Sequence, residues 1–314
     1  MLKSKICDLL GIEYPVFQGG MAWISDAQLA AAVSEGGGLG IIASGSAPAS
    51  YVREQIEKLC ALTNRPFGVN IMLMSEHADE VAKLCAEMKV PVVTTGAGNP
   101  SKYMSDWKQA GVKVIPVVAS AALAKLMTRL GADAVIAEGG ESGGHIGELN
   151  TMVLTPVVCG STSLPVIAAG GIADGRGLAA AFMLGACAVQ VGTRFLTAEE
   201  CNISDVYKQK ILQANDLSTM VTGRRLGHPV RCLKTPFARN YLKAEYEGMP
   251  DDELEALGAG SLRRAVKDGD VERGSFLSGQ SAALVSQIQP AADIIKDIVE
   301  GGEKLLRGAA QWVK

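Results

Sequence analysis

One histidine in a glycine-rich segment is the side chain best suited to proton transfer. Residues 138–147 read EGGESGGHIG, so His145 has glycines close on both sides. An imidazole titrates near neutral pH and can exchange a proton with a substrate, and flexible flanks would help it approach a carbonyl. The other histidines, His77 at a helix start and His228 far downstream, are expected to be structural. The three show no metal-ligand spacing, so we predict that His145 is catalytic and that no catalytic zinc is bound.

Two glycine-containing segments have the composition of a phosphate site. Gly170 and Gly171 follow the apolar run LPVIAA, and Gly192 and Thr193 follow the run AVQV. Glycine lets backbone N–H groups approach phosphate oxygens, and a threonine hydroxyl can add a hydrogen bond. Asp174 could cap the next helix, whose N-terminus favours an anion. A simple turn explains either segment alone, but the pair predicts a bound phosphate.

Five further residues stand where apolar runs end and offer contacts to a flat ring. Met21 and Ala22 follow the sequence QGG, Asn70 offers an amide, and Glu138 and Gln190 bring polar groups into apolar surroundings. Groups of this kind can hydrogen-bond the edge of a planar cofactor. A core or turn role explains each of them equally well when it is taken singly.

These segments lie at the ends of eight short apolar runs that alternate with segments of helical pattern. Short β-branched runs bounded by turn residues are typical of buried parallel strands. Eight strand–helix units at roughly 25-residue spacing predict a closed (β/α)8 TIM barrel, with an open doubly wound sheet as the alternative. The loops after the strands would form the active face, and phosphate commonly binds after strands seven and eight. The runs are residues 16–20, 39–44, 67–71, 90–96, 112–117, 134–139, 164–171 and 188–193.

The alternation stops after Leu196. Residues 199–284 hold charged and helical segments without strand-like runs, and they predict a small helical lid inserted after strand eight. Residues 288–306 are amphipathic and would form the closing helix. The expected organisation is a barrel of residues 1–198 and 285–314 with a lid of residues 199–284.

The composition limits partners and location. A net charge of −3 offers no basic field for nucleic acid or anionic lipid, and 5% aromatic residues are few for stacking on bases. The seven cysteines form no C-x-x-C pair, which indicates reduced thiols. The sequence shows no apolar stretch of membrane-spanning length and no signal peptide, so we expect a cytoplasmic enzyme.

Five ordered motifs together resemble the nitronate monooxygenase superfamily. They are QGGM at the first run, GVN at the third, EGxExGGHxG after the sixth, AAGGI at the seventh and QxGTRF at the eighth. Within that superfamily the chain is similar to the FMN-dependent enoyl-acyl-carrier-protein reductases of type II, which act in bacterial fatty-acid synthesis. The resemblance covers essentially the whole chain.

The resemblance implies a role for each candidate residue. His145 would face the substrate of an enzyme that binds FMN without a covalent bond. The FMN phosphate would be held by Gly170, Gly171, Gly192 and Thr193. The flavin ring would be lined by Met21, Ala22, Asn70, Glu138 and Gln190. NADH or NADPH would reduce the flavin, and the flavin would reduce a trans-2-enoyl thioester.

The resemblance also implies partners. The thioester would be carried by an acyl-carrier protein, and a homodimer and a monovalent cation near the lid are expected, although the sequence does not locate the cation site. Basic residues could meet an acidic carrier or a nucleotide phosphate, but a solvated surface explains each of them alone. These residues are Arg224, Arg225, Arg231 and Lys234.

Other functions stay open at this point. A nitronate monooxygenase would use His145 as a base on a nitroalkane, and an NAD(P)H:quinone reductase would share the cofactor. A barrel dehydrogenase of purine nucleotides needs a nucleophilic cysteine in the loop after strand six. Residues 138–147 contain none, so that function is set aside. A non-catalytic flavin binder would be expected to lack a proton-transfer group where His145 stands.

Overall fold

The part of the chain that the computed structural model describes is residues 2 and 4–313 without the side chain of Trp312, and it forms the predicted TIM barrel. Eight parallel strands alternate with helices around it. The barrel strands are β1 (Val16–Gln18), β2 (Gly40–Ala43), β3 (Phe67–Met72), β4 (Val92–Gly96), β5 (Lys113–Val118), β6 (Val135–Glu138), β8 (Val166–Ala169) and β9 (Ala188–Val191). A short strand, β7 (Gly144–His145), lies between β6 and β8 in the chain and belongs to a second sheet.

Helices cover the outside of the barrel. Asp174, which was predicted as a cap, accepts a backbone N–H group with its side chain, and Asp26 and Ser120 do the same at the starts of their helices. The α-helices are α1 (Lys5–Leu10), α2 (Ala27–Glu35), α3 (Ala49–Leu62), α4 (Ala78–Glu87), α5 (Met104–Gln109), α6 (Ala121–Arg129), α7 (Thr151–Cys159), α8 (Gly175–Met183), α9 (Asp205–Leu212), α10 (Pro236–Tyr246), α11 (Asp251–Gly258), α12 (Ser261–Arg263) and α13 (Ala291–Gly308). Short 3-10 helices span Ser101–Tyr103, Thr193–Thr197, Gln280–Leu284 and Ala309–Trp312, and a π-helical turn spans Arg264–Asp268.

The barrel closes between its first two strands. The order around the sheet is β1-β9-β8-β6-β5-β4-β3-β2. Gln18 N donates to Leu39 O over 3.0 Å, and Leu39 N donates to Val16 O over 2.9 Å. These bonds join β1 to the residue before β2, so the carboxyl ends of the strands form one continuous rim.

The amino end of the barrel is closed by a helix that was not predicted. Phe17 and Ile41 are fully buried in the barrel interior and belong to one cluster with Ile6 of α1. The Ser4 hydroxyl before α1 donates to the carbonyl of Cys187 just before β9. Helix α1 therefore covers the face opposite to the predicted active face.

The segment 199–284 was predicted to lack strands, and this was wrong. Besides α9 to α12 it contains β10 (Thr219–Thr222) and β11 (Val230–Leu233), which pair antiparallel. Strand β11 also pairs antiparallel with β7, so the segment is joined to the loop after β6. The closing helix predicted near residues 288–306 is confirmed as α13, which packs against α8 and α2.

The cysteines are unpaired, and two of the buried ones have strongly raised pKa values. All seven cysteines are free thiols. Burial raises the pKa of Cys85 and of Cys201 to about 12, which keeps both protonated. Among the described residues, no helix is long and apolar enough to cross a membrane.

Candidate active site

A cavity of about 260 Å³ lies at the carboxyl ends of the barrel strands. Its wall contains all the predicted site residues except Gly170 and Gly171. Leu262 and Leu277 of segment 199–284 complete one apolar side. The predicted residues that line it are Met21, Ala22, Asn70, Glu138, His145, Gln190, Gly192 and Thr193.

Gln18 shapes the loop that carries Met21 and Ala22. Its side chain is fully buried, Oε1 accepts from Ile41 N over 3.1 Å, and Nε2 donates to Ser25 Oγ over 2.7 Å. Ser25 Oγ in turn accepts from Met21 N over 2.9 Å. Gln18 thus ties β1, β2 and this loop together, a role that the sequence analysis did not assign to it.

Gly20 and Asn70 pack against each other beside the cavity. A Cβ atom at Gly20 would lie 2.4 Å from Asn70 Cβ, so only glycine fits there without movement. Asn70 Nδ2 donates to Thr94 Oγ1 over 3.0 Å, which fixes the plane of the amide. A bare backbone next to a fixed amide offers a flat, polar surface to a planar ring.

Glu138 is the last residue of β6 and lines the cavity. The residue is partly buried, and this burial raises the pKa of its carboxyl from 4.5 to about 7. Ser142 Oγ lies close enough to lower the pKa slightly, although it makes no hydrogen bond of good geometry in the described structure. Because burial is the larger of the two effects, Glu138 is partly protonated at neutral pH and can donate as well as accept a hydrogen bond.

The raised pKa of Glu138 predicts a pH-dependent stability of the apoprotein. A carboxyl whose pKa is higher in the folded state stabilises the fold below its unfolded pKa, and that contribution is lost as the pH rises through the folded value. Relative to Glu138→Gln, the free energy of unfolding of the wild type should fall by up to about 3 kcal/mol between pH 4.5 and about 7. Urea unfolding of both apoproteins across this range measures the difference, and a constant difference would contradict the assigned pKa.

Thr193 lies where three loops meet. Its Oγ1 accepts from Gly279 N over 2.9 Å. A Cβ atom at Gly143 would lie 2.7 Å from Gly279 N. The loops after β6 and β9 therefore both contact Gly279. Thr193 also begins a 3-10 helix, and the first N–H groups of a helix have no partner within it. The Thr193 hydroxyl and these N–H groups can together bind an anion.

Gly170 and Gly171 lie beside this site and not in the cavity wall. Their φ values of +95° and +74° favour glycine. A Cβ atom at Gly170 would lie 2.8 Å from Gly139 O and 2.9 Å from Thr151 Oγ1. The loop after β6 therefore requires these glycines for packing, with or without a ligand. Their role in phosphate binding stays a prediction.

His145 stands at the mouth of the cavity, and its side chain is exposed. The prediction of flexible glycine flanks was wrong, because His145 lies in β7 opposite Val230 and Gly143 packs against Gly279. Surrounding protein that displaces water from the ring lowers the pKa of His145, and the nearby His228 lowers it further. The imidazole is therefore mostly neutral at neutral pH, the form that can donate an N–H group or accept a proton.

His228 is a neighbour of His145 that was not expected from the sequence. It was expected to be structural, but its ring centroid lies 6.5 Å from that of His145 at an interplanar angle of 83°. The pairing of β11 with β7 brings it there, and such a tertiary contact leaves no periodic pattern. The one shared signal in the sequence is a glycine directly before each histidine.

Arg231 anchors the loop that carries His145. Its Nε and Nη2 atoms donate to Gly140 O over 3.1 and 2.9 Å. Arg231 was expected to be a solvated surface cation, but its guanidinium binds a backbone carbonyl of the chain. The loop after β6 is therefore held both by the β7–β11 pairing and by this clamp.

The groups in the cavity fit the expected FMN. Asn70, Glu138 and Gln190 offer donors and acceptors to the heteroatoms of a flavin ring. A Cβ atom at Gly96 would meet nothing within 4 Å, so the backbone there is open to the cavity. Thr193 lies at the edge where an anion can bind. A planar polar ring with a phosphate therefore matches the donor set.

Comparison with known proteins assigns the family. The nitronate monooxygenase family model matches residues 3–88 and 74–301. The structure of FabK from Thermotoga maritima is 54% identical with a TM-score of 0.98, and the match covers 100% of each chain. A Mycobacterium tuberculosis protein, (3aS,4S,5R,7aS)-5-hydroxy-7a-methyl-1-oxo-octahydro-1H-indene-4-carboxyl-CoA dehydrogenase, is 35% identical over 95% of each chain. A probable nitronate monooxygenase of Staphylococcus aureus is 32% identical over 95% of this chain and 96% of its own. The chain thus belongs to the nitronate monooxygenase family, whose members are flavin-dependent oxidoreductases.

Proposed function

We propose that this protein is an FMN-dependent enoyl-acyl-carrier-protein reductase that uses NADH or NADPH. The observation that carries the proposal is the similarity to FabK at 54% identity over the full length of both chains, together with the five motifs that resemble the FMN-dependent enoyl reductases of type II. The M. tuberculosis relative is less similar, at 35%, but it is named for a CoA thioester. A thioester is also the functional group that an enoyl-carrier substrate presents.

The residues of the cavity have separate tasks in holding the cofactor. We propose that the backbone at Gly192 and the Thr193 hydroxyl bind the phosphate, with Gly170 and Gly171 supporting them. The ring would be contacted by Met21, Ala22, Asn70, Glu138 and Gln190. The bound FMN supplies hydride transfer from the nicotinamide to the β-carbon of the enoyl thioester.

His145 would act on the thioester carbonyl. Negative charge develops on this oxygen when hydride reaches the β-carbon, and an N–H group aimed at it stabilises the charge. A neutral imidazole can supply that hydrogen bond, and the lowered pKa of His145 keeps it neutral. The proton for the α-carbon would come from a water that His145 orients, or it would be relayed through the ring, with one ring nitrogen accepting a proton from water as the other gives one up.

We propose that residues 199–284 form the substrate-side subdomain on a barrel of residues 1–198 and 285–314. Leu262 and Leu277 from this segment face the cavity, where they can contact the acyl chain. Arg224 and Arg225 are exposed in the turn between β10 and β11 and pair with Glu148 and Asp251. These cations can exchange their partners for acidic groups of a carrier protein.

A monovalent cation and a homodimer are parts of the proposal that rest on the family resemblance, and a cytoplasmic location is a part that rests on the composition of the sequence. Light scattering on the purified holoenzyme tests the homodimer. Turnover with potassium, sodium or a bulky organic cation at one ionic strength tests the cation requirement.

The proposed reaction is tested by its product. Crotonyl thioesters of acyl-carrier protein and of CoA are incubated with NADH or NADPH without oxygen, and the thioester product is identified by mass spectrometry. We expect one equivalent of the saturated butyryl thioester for each NAD(P)H consumed. NAD(P)H consumption that depends on a quinone, with the crotonyl thioester unchanged, would show a quinone reductase instead.

Nitronate monooxygenase is the second candidate, because the family model and the S. aureus relative carry that name. A neutral imidazole at the mouth of the cavity can also remove the α-proton of a nitroalkane, so His145 alone does not distinguish the two reactions. Oxygen uptake with a nitronate in the absence of NAD(P)H would favour this candidate.

A further inference from the structure

His145 has a second histidine beside it that the proposed reaction does not yet use. The His228 ring lies edge-on to the His145 ring, with 6.5 Å between the centroids. Both residues are exposed, and His145 lines the cavity. Two imidazolium groups at this distance repel each other, so protonation of one makes protonation of the other less favourable.

The turn that carries His228 is built to hold it in place. The buried Glu245 of α10 accepts from Gly223 N over 2.9 Å with one carboxylate oxygen and from Arg225 N over 2.7 Å with the other. Gly223 has a φ of +76°, and a Cβ atom there would lie 2.7 Å from His228 O. His228 N donates back to Gly223 O over 3.1 Å. The position of His228 is therefore fixed from both ends of the turn.

Other charged groups surround the two rings, but most of them have partners in the chain. Arg224 pairs with Glu148 at 3.1 Å, and Arg225 pairs with Asp251 at 3.3 Å. Arg231 donates to a backbone carbonyl. The groups are Glu138, Glu141 and Glu148 after β6, Arg224 and Arg225 in the turn, Arg231 on β11, Glu245 on α10 and Asp251 on α11. After burial, the proximity of His228 is the second cause that lowers the pKa of His145.

We propose that His228 is a positioning residue for His145, and that its ring, held edge-on with 6.5 Å between the centroids, keeps His145 ready to donate an N–H group to the substrate. The inference rests on the proposed role of His145 in thioester reduction. It adds that the two rings are coupled electrostatically, so that a positive charge at position 228 disfavours protonation of His145. Activity should consequently extend to lower pH than it would with His145 alone.

The proposal is tested by NMR titration of the histidine ring protons in the holoenzyme. The chain has three histidines, so single substitutions assign every signal. In His228→Gln the pKa of His145 should rise, because one of the two causes that lower it is removed. In His228→Lys, which keeps a positive charge, it should stay low. His77→Gln, at the start of α4, is the matched control and should leave the titration of His145 unchanged.

Activity provides a second readout. The acidic limb of the pH–rate profile should move to higher pH in His228→Gln and should be restored in His228→Lys. A His145 titration in His228→Gln that matches the His77→Gln control would overturn the proposal, as would equal shifts with glutamine and lysine. The NMR experiment needs no substrate, so a shifted titration without enoyl reductase activity would reject the proposed function and leave the coupling of the two histidines standing.

Discussion

Replacing His145 by glutamine is expected to slow the reduction of the enoyl thioester by about 100- to 10,000-fold, the usual contribution of a positioned acid–base group. The reduction of FMN by NAD(P)H should keep its wild-type rate, because no proton has to reach a thioester in that step. The glutamine side chain can still donate a hydrogen bond, but it cannot give up a proton. The substitution should therefore slow the second half-reaction of the proposed cycle and leave the first unchanged.

Single-turnover kinetics measures both half-reactions in the same sample. The flavin absorbance is followed first on mixing with NAD(P)H without oxygen and then on mixing with crotonyl thioester. His77→Gln, on the outer helix layer, serves as the control and should behave as the wild type. If both half-reactions slowed equally in His145→Gln, the residue would be acting on FMN binding or on the fold, and its assigned role would be wrong.

Replacing Gly20 by alanine is expected to weaken FMN binding by about 10- to 100-fold, since overpacking of this kind costs about 1–3 kcal/mol. The new Cβ atom would lie 2.4 Å from Asn70 Cβ and 2.7 Å from Asn70 Cγ. Asn70 Cβ belongs to the backbone frame of β3, so it cannot rotate away. Either the Gly20 loop or the Asn70 amide must move, and both contact the proposed ring site.

The FMN affinity is measured from the quenching of free FMN fluorescence by the apoprotein. Gly160→Ala is the matched control, because its Cβ atom would meet the nearest neighbour, Pro156 O, at 3.4 Å, on the outside of the barrel. That variant should bind FMN as the wild type does. If Gly20→Ala bound FMN with wild-type affinity, the flavin ring would not depend on the contact between Gly20 and Asn70, and the proposed ring site would be wrong.

The barrel could be predicted from the sequence because its strands are buried on both faces. Runs such as residues 112–117 and 164–171 are continuous and β-branched, and each is followed by a cap and a helix. Helix α7 lacks a helical pattern in the sequence. Its sequence TMVLTPVVC is rich in β-branched residues and contains Pro156, so its helical state comes from packing and not from propensity.

The antiparallel sheet was missed because its strands are short and mixed in character. Strand β10 reads TMVT and β11 reads VRCL, and neither alternates strictly between polar and apolar residues. The pairing of β11 with the two residues of β7 is a contact between distant parts of the chain. The sequence could therefore indicate His145 as a chemical group, but neither its fixed position in a strand nor its neighbour His228.

The cavity residues were easier to predict than the reasons for them. Residues at the ends of the barrel strands must lie on one face, so Asn70, Glu138 and Gln190 could be grouped from their positions alone. The need for glycine at positions 20 and 170 depends on Asn70 and Gly139 approaching from neighbouring loops. Those distances follow from loop packing, which sequence patterns do not describe.

The most direct test of the central claim is the order of electron transfer in the wild-type holoenzyme. The oxidised protein is mixed with NAD(P)H without oxygen, and crotonyl acyl-carrier protein is added after the flavin band has bleached. We predict rapid bleaching by NAD(P)H and full recovery of the band on addition of the enoyl thioester, with the saturated thioester as product. A flavin that stays oxidised with NAD(P)H but bleaches with a nitronate would contradict the account and identify a nitronate monooxygenase.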